Sequence, residues 1–290
     1  MSELYRHSNK FTPQGLLAGI VAGVAAAIPL GFLYVYGIWS IPEAKLRGLC
    51  PVGYGAAIGA ACGLALVRGK VRNAKWAGIA SGAACLFALY FSWAVWILHL
   101  MFPSYWILNP TWLVFQPQKM WKIILSVNAQ GTWAMTGSQP MTGTGLWLVW
   151  ACEAALLIGF GVLVGVALVK RQPFCENCQS WCSERMRLYF APVMAPMEIK
   201  KRVEAVDAGW LGKLARGNKK LAFYALDLHT CGNCHALNTL SLVQNLPRDK
   251  KTLVDKLLLS AEQATAVRSL HMNPETQASA PVAAVNPINK

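Results

Sequence analysis

The chain has 290 residues, of which 55% are hydrophobic and only 14% are charged. A soluble globular domain carries about a quarter charged residues, so this composition excludes a wholly soluble protein. The charge deficit lies in residues 14–170, whereas residues 171–290 have ordinary polarity. The composition therefore predicts a membrane domain followed by a soluble domain.

Four apolar segments follow a short N-terminal tail, residues 1–14. A helix needs about 20 apolar residues to cross a bilayer. The predicted spans are residues 15–38, 52–67, 76–102 and 145–169. The second span is short, but Pro51 suits the first position of a helix. We predict a bundle of four transmembrane helices over residues 15–170, followed by a small α+β domain.

Small residues recur four positions apart in every span, a spacing that lets helix backbones approach closely. This pattern predicts a tightly packed bundle and leaves a homo-oligomer open as an alternative. The glycines concerned are Gly15, Gly19, Gly23, Gly55, Gly59, Gly63, Gly78, Gly82, Gly161 and Gly165.

Basic residues in the short loops predict the orientation of the bundle, because Lys and Arg stay on the cytosolic side. The loop between the second and third spans holds Arg68, Lys70, Arg72 and Lys75, with no acidic residue. The segment 103–144 holds only two lysines as basic residues. The loop between the first and second spans carries Lys45 and Arg47, which weakly favours the opposite orientation. Both termini are therefore expected in the cytosol.

The outer segment 103–144 is rich in Trp, which prefers the membrane interface. An amphipathic helix is predicted near residues 117–127, with a ligand-binding cap as an alternative.

Glu153 is the single acidic residue within a span. An intramembrane carboxylate is costly, so it indicates either a polar contact between helices or a transport or proton-handling site. Tyr90, Ser92 and His99 on the third span are the candidate partners.

Two C-x-x-C pairs lie in the soluble domain. Cys175 and Cys178 are separated by 52 residues from Cys231 and Cys234. Two such pairs can complete a four-thiolate site, the closed geometry of structural zinc. Cys182 or His235 could replace one of the ligands.

The letters C-x-x-C-H at residues 231–235 also match c-type haem attachment. That process takes place outside the cytosol, so the predicted topology argues against haem. A redox dithiol is a further alternative, although no thioredoxin-like pattern surrounds either pair.

Strand-like segments flank both pairs. A helix over residues 197–214 is predicted to be inserted between the pairs, with apolar Ile199, Val203, Val206 and Leu211 roughly on one face. This organisation predicts a zinc-ribbon-like domain over residues 171–248. A helix over residues 249–271 and a disordered Pro/Ala-rich tail, residues 272–290, are expected to follow.

Four motifs of this chain resemble those of uncharacterised bacterial multi-pass membrane proteins. Two lie in the soluble domain, R-x-P-F-C-E-x-C-x-x-W and T-C-x-N-C-x-x-L-N-T-L. The other two are G-K-V-R-N between spans and L-W-L-V-W-x-C-E-A in the last span. The resemblance implies a bacterial inner-membrane setting and a cytosolic zinc site. It implies no activity.

No nucleophile–base pair, phosphate-binding loop or paired carboxylates occur in the sequence, so no enzymatic activity is predicted. The formal net charge of +14 is consistent with anionic lipid at the inner leaflet and is not taken as a nucleic-acid-binding signal. The leading hypothesis is a membrane anchor for a zinc ribbon that binds a cytosolic protein or holds an assembly together. A small transporter or sensor that uses Glu153, and a membrane-tethered dithiol protein, are the alternatives.

Overall fold

The computed structural model describes residues 3–41, 47–102, 109–132, 140–218, 222–246 and 249–272. It divides into two compact units. The helical unit comprises residues 8–171. The C-terminal unit comprises the chain from residue 172 onward together with the N-terminal residues up to His7. The first few residues are therefore part of the C-terminal unit.

Four helices of the helical unit are long and apolar enough to cross a membrane, as predicted. They are α1 (Pro13–Ser40), α2 (Cys50–Arg68), α3 (Ala74–Met101) and α6 (Gly143–Arg171). Even the shortest, α2 with 19 residues, measures about 28 Å at 1.5 Å per residue, close to the thickness of a hydrocarbon core.

Side-chain caps account for two of the helix starts. The hydroxyl of Thr12 accepts a hydrogen bond from the N–H of Gly15 at the start of α1. The side chain of Asn73 accepts from the N–H groups of Lys75 and Trp76 at the start of α3. Each cap satisfies backbone donors that the helix itself leaves unpaired.

Close packing between α2 and α6 depends on glycine. A Cβ atom on Gly55 would collide with the backbone of Leu157, and one on Gly59 would collide with the backbone of Gly161. Such a close approach brings many atoms of the two helices into van der Waals contact.

The third span packs through other residues than predicted. A Cβ atom on Gly78 or Gly82 would meet only ordinary van der Waals contacts, from Val162 and Val166. Buried small residues of α3 lie one or two positions away from these glycines. They are Ala77, Ala80, Ser81 and Ala84.

Two short helices, α4 (Thr111–Val114) and α5 (Pro117–Gln130), lie between α3 and α6. The predicted helix near 117–127 is thus present. Its residues Met120, Ile124 and Val127 are buried, whereas Trp121 and Leu125 are exposed. Residues 103–108 and 133–139 of the predicted outer segment lie outside the described residues.

The C-terminal unit begins with a hairpin of two short strands, β1 (Phe174–Cys175) and β2 (Ser180–Trp181). A four-stranded antiparallel sheet follows in the order β3-β4-β5-β6. Its strands and the helices α7, α8 and α9 have the following bounds: β3 Glu184–Phe190, α7 Pro196–Glu204, α8 Ala208–Leu211, β4 Phe223–Thr230, β5 Asn238–Leu246, β6 Asp249–Leu259 and α9 Ala261–Met272.

One face of this sheet forms the apolar core. Leu188, Leu226, Leu242 and Val254 are register partners across the four strands. The helices bury Ile199 and Val203 of α7 and Val267 of α9 in the same cluster. The predicted strands on both sides of the second C-x-x-C pair are therefore present. The single helix predicted over residues 197–214 is instead two helices, α7 and α8, because α7 ends at Glu204 and Val206 has a φ of 52°.

The helix predicted over residues 249–271 is wrong in its first half, because residues 249–259 form β6. Val254 and Leu257 are three positions apart, a spacing that suggests a helix. They nevertheless pair with Leu242 and Leu240, which are two apart, because an irregularity in β6 adds one residue. Lys256 takes up this extra length with a φ of 52°. The predicted disordered tail, from residue 273 onward, lies outside the described residues.

Candidate metal centre

The two C-x-x-C pairs lie in the turns of two hairpins. The first pair occupies the turn between β1 and β2, with Cys175 as the last residue of β1. The second follows β4, where the N–H of His235 donates to the carbonyl of Cys231 at 3.0 Å. Both turns have the sequence C-x-N-C, with Asn177 and Asn233 in matching positions.

The two turns bring four sulfur atoms together. The Sγ atoms of Cys175, Cys178, Cys231 and Cys234 all lie within 4.8 Å of one another. The Sγ of Cys234 is 3.6 Å from that of Cys175 and 3.6 Å from that of Cys231. A tetrahedral zinc site with Zn–S bonds of about 2.3 Å has S–S edges of about 3.8 Å. The four-sulfur group therefore has the dimensions of a tetrahedral metal site.

Backbone groups of both turns point at the sulfur of the first cysteine. The N–H groups of Asn177 and Cys178 donate to Cys175, and those of Asn233 and Cys234 donate to Cys231. Hydrogen bonds to sulfur favour the thiolate, which is the form that binds metal. The matching pattern in the two turns is local support for an anionic sulfur cluster.

Burial and hydrogen bonding shift the pKa values of the four-sulfur group in different directions. Burial by itself would raise the pKa of Cys231, but the N–H groups of Cys234 and Asn233 outweigh it and lower this pKa to about 6. Hydrogen bonding with the Cys234 thiol raises the pKa of Cys178 to about 12, and burial raises the pKa of Cys175. The group thus combines a thiolate with protonated thiols, whose protons a metal ion would replace.

Side chains around the group join the two turns. The amide of Asn233 donates to the hydroxyl of Ser180 at 3.3 Å, and that hydroxyl lies 3.9 Å from the Sγ of Cys231. Leu237 packs against the buried cysteines. These contacts surround the sulfurs with groups that are not themselves metal ligands.

The two alternative ligands lie beside the group but outside it. Cys182 is buried against Cys175 and Cys231, and its N–H donates to the carbonyl of Pro173 at 2.9 Å. The ring of His235 is more than half exposed, and its Nδ1 lies 3.7 Å from a carboxylate oxygen of Glu184. Among the described residues, the group of potential metal ligands contains neither of them.

The donor set indicates the class of metal. Four thiolates in a tetrahedral arrangement suit soft or borderline ions, namely zinc or iron, and not magnesium or calcium. All four cysteines have free thiols, and their separations are far longer than the 2.05 Å of a disulfide. The residues present therefore fit a bound metal ion.

Glu153 has a different partner from those expected. It accepts a hydrogen bond from the hydroxyl of Tyr34 on α1. Tyr34 stacks on Tyr54 of α2, with ring centroids 4.7 Å apart. A polar contact therefore connects α6 to α1 inside the bundle.

The three residues proposed as partners of Glu153 make other contacts. The Tyr90 hydroxyl donates to the carbonyl of Val114 at 2.7 Å, and the Ser92 hydroxyl donates to the carbonyl of Leu89. The His99 ring lies edge-on to Tyr36 and Trp39. The prediction was wrong because contact across a bundle depends on how the helices are arranged, and spacing within one helix does not determine that.

The sequence analysis also missed the aromatic support of the first turn. Phe174 and Trp181 are paired across β1 and β2, and the centroids of their rings are 5.0 Å apart. Tyr5 and His7 extend this aromatic cluster, and the ring centroids of His7 and Trp181 are 6.1 Å apart. The aromatic residues flanking C-x-x-C were a visible signal for the first pair, but nothing in the local sequence indicated the N-terminal residues.

No family model, curated protein or solved structure matches this chain. The resemblance to bacterial multi-pass membrane proteins stays a prediction.

Proposed function

We propose that this protein anchors a cytosolic domain with a structural zinc ion in a bacterial inner membrane, and that this domain binds another protein. The observation that carries the proposal is the four-sulfur group, formed by two turns with the same sequence pattern and the same N–H···S contacts. A closed set of four thiolates leaves no open coordination position, which is typical of structural and not of catalytic zinc.

Two observations support a shared cytosolic location of both termini. The loop between α2 and α3 carries Arg68, Lys70, Arg72 and Lys75, and such loops stay inside. Residues 3–7 belong to the same compact unit as the C-terminal sheet, which supports a shared location of this N-terminal segment and the sheet on one side of the membrane. An even number of spans, such as the four proposed, is required for this.

An exposed apolar segment supports the binding role. Among the described residues of the C-terminal unit, Val193 and Met197 are two of the three large apolar side chains that are mostly exposed. Exposed Lys201 follows Met197 by one turn of α7, and half-buried Lys200 beside it lies 3.8 Å from a carboxylate oxygen of Glu204. This combination suits a protein surface that presents apolar and acidic groups.

Metal content is the test of the zinc site. We expect about one zinc ion per chain in the full-length protein purified in detergent, measured by mass spectrometry of the metal. Cys231→Ser/Cys234→Ser should lose it, whereas Cys152→Ser, an exposed cysteine outside the group, should retain it. Absence of zinc from the parent protein, or equal zinc in all three proteins, would contradict the proposal.

The binding role has a separate test. A photo-crosslinking residue at position 193 in cells should capture one defined protein, and charge reversal by Lys200→Glu/Lys201→Glu should remove that adduct without changing the zinc content. Adducts with lipid alone would contradict a protein-binding role for this segment.

The two alternatives remain hypotheses. The hydrogen bond from Tyr34 to Glu153 supports a polar contact between helices over a transport site. A dithiol function would require Cys231 and Cys234 to exchange with a disulfide while the domain stays folded, and thiol-exchange assays on the metal-loaded protein would detect it.

A further inference from the structure

The N-terminal residues pair with the edge of the sheet through an isolated β-bridge. The N–H of Tyr5 donates to the carbonyl of Lys256 at 2.8 Å, and the N–H of Leu258 donates to the carbonyl of Glu3 at 2.9 Å. Between these bonds, Leu4 forms an antiparallel bridge with Leu257. The segment 3–7, which we call the N-terminal strap, therefore covers part of the exposed edge of β6.

The same strap contacts the first metal-binding turn. The hydroxyl of Tyr5 accepts a hydrogen bond from the N–H of Phe174 at 2.9 Å and lies 3.2 Å from the carbonyl of Phe174, to which it can donate. The same hydroxyl is 3.2 Å from Nδ1 of His7 within the segment. Phe174 directly precedes Cys175. One side chain of the strap thus contacts both backbone groups of the residue next to a metal ligand.

The hairpin that receives Tyr5 is too short to be stable alone. β1 and β2 contain two residues each. Even longer isolated hairpins are marginal in water, so the order of this one must come from the metal ligands and from its aromatic contacts. Loss of the metal would remove the fixed position of Phe174 and with it the attachment point of Tyr5.

We propose that the N-terminal strap is a metal-dependent latch: metal in the four-sulfur group holds residues 3–7 on β6, and loss of the metal releases them. This inference rests on the proposed zinc site. Release of the strap would remove the partners that Tyr5 and Glu3 provide for the carbonyl of Lys256 and the N–H of Leu258 on β6. A strand edge exposed in this way can bind an extended peptide. The domain would thereby expose a second binding surface when zinc is scarce.

Thermodynamic linkage makes the coupling reciprocal. If bound metal favours the docked strap, the docked strap must raise the metal affinity by the same factor. Tyr5→Phe removes the hydroxyl and leaves the ring, so it weakens the latch without removing an apolar group. The loss of the contacts between this hydroxyl and the backbone of Phe174 predicts a zinc affinity reduced by about tenfold.

Hydrogen exchange on the full-length protein in detergent tests the latch directly. We expect the backbone amide of Tyr5 to exchange at least about tenfold faster after a chelator removes the zinc, since its acceptor on β6 would no longer be held in place. The matched substitution is Tyr224→Phe, which removes a hydroxyl bonded to the carbonyl of Met194 in the same unit. Competition with a chelator should show lower zinc affinity for Tyr5→Phe and parental affinity for Tyr224→Phe.

The outcomes separate the two proposals. If the parent protein binds no zinc, the zinc site and the latch both fail. If zinc binds but the exchange of the strap does not change on its removal, the latch is overturned while the zinc site stands. Equal zinc affinities of the two Tyr→Phe proteins would likewise overturn the latch.

Discussion

The helical unit and the C-terminal unit are held together by different interactions. In the helical unit, α2 and α6 meet backbone to backbone at Gly55 and Gly59, where no side chain separates them. Lipid tails are as apolar as leucine, so the burial of apolar side chains does not drive such helices together. Their association depends instead on how closely the backbones can approach.

The C-terminal unit combines an apolar core with a four-sulfur group. Leucines of β4 and β5 pack against α7 and α9 on one face of the sheet. The hairpin β1–β2 lies outside that core cluster and has only two residues in each strand. A bound metal would supply the stability that so short a hairpin lacks. The two units should therefore respond to different perturbations, and four experiments test this.

Metal removal should have the largest effect and should be confined to the C-terminal unit. Structural zinc contributes about 10–16 kcal/mol of apparent binding energy in small zinc domains. We expect amides of β1, β2 and the second turn to lose their protection from hydrogen exchange after chelation. Amides of α2 and α6 should keep theirs, and equal loss in both units would contradict the separation.

Acidification should weaken metal binding by a large factor. The raised pKa values of Cys175 and Cys178, the latter about 12, mean that both thiols carry protons at neutral pH without metal. Metal binding must release these protons, so affinity rises with pH and falls as the pH drops. The release of at least these two protons predicts a change of at least about a hundredfold per pH unit. Zinc competition at pH 6, 7 and 8, corrected for the chelator, measures it; a pH-independent affinity would contradict these protonation states.

A methyl group at the α2–α6 contact should destabilise the helical unit alone. Gly59→Ala places a Cβ atom against the carbonyl oxygen of Gly161, and overpacking of this kind costs about 1–3 kcal/mol. Gly53→Ala is the matched control, because a Cβ atom there meets nothing within 4 Å. Thermal unfolding in detergent should show a lower midpoint for Gly59→Ala only. Its zinc content should be unchanged.

The contact between Tyr34 and Glu153 should have the smallest effect. Hydrogen bonds between membrane helices contribute about 0.6 kcal/mol on average. A double-mutant cycle of Tyr34→Phe and Glu153→Gln should therefore give a coupling energy of about 0.5–2 kcal/mol in unfolding measurements. Zero coupling would remove the evidence for a structural contact and strengthen the transport hypothesis.

The features that the sequence determined are those encoded within short segments. The four apolar segments are long enough to be recognised by composition, and the helix at residues 196–204 and the strands beside Cys231 and Cys234 follow local periodicity. Each C-x-x-C pair places two sulfurs in one turn by spacing alone. These predictions required no knowledge of which parts of the chain meet.

Contacts between distant residues were decided only by the tertiary structure. Tyr34 and Glu153 are 119 positions apart, and Tyr5 and Phe174 are 169 apart. On α3, buried Ala77 and Ser81 replace the predicted Gly78 and Gly82, because the rotation of a helix in a bundle depends on its neighbours. Likewise β6 is a strand because it pairs with β5, and the irregularity at Lys256 lets both Val254 and Leu257 pair with leucines of β5. Spacing along one segment carries no information about such partners, which is why the sequence alone could not identify them.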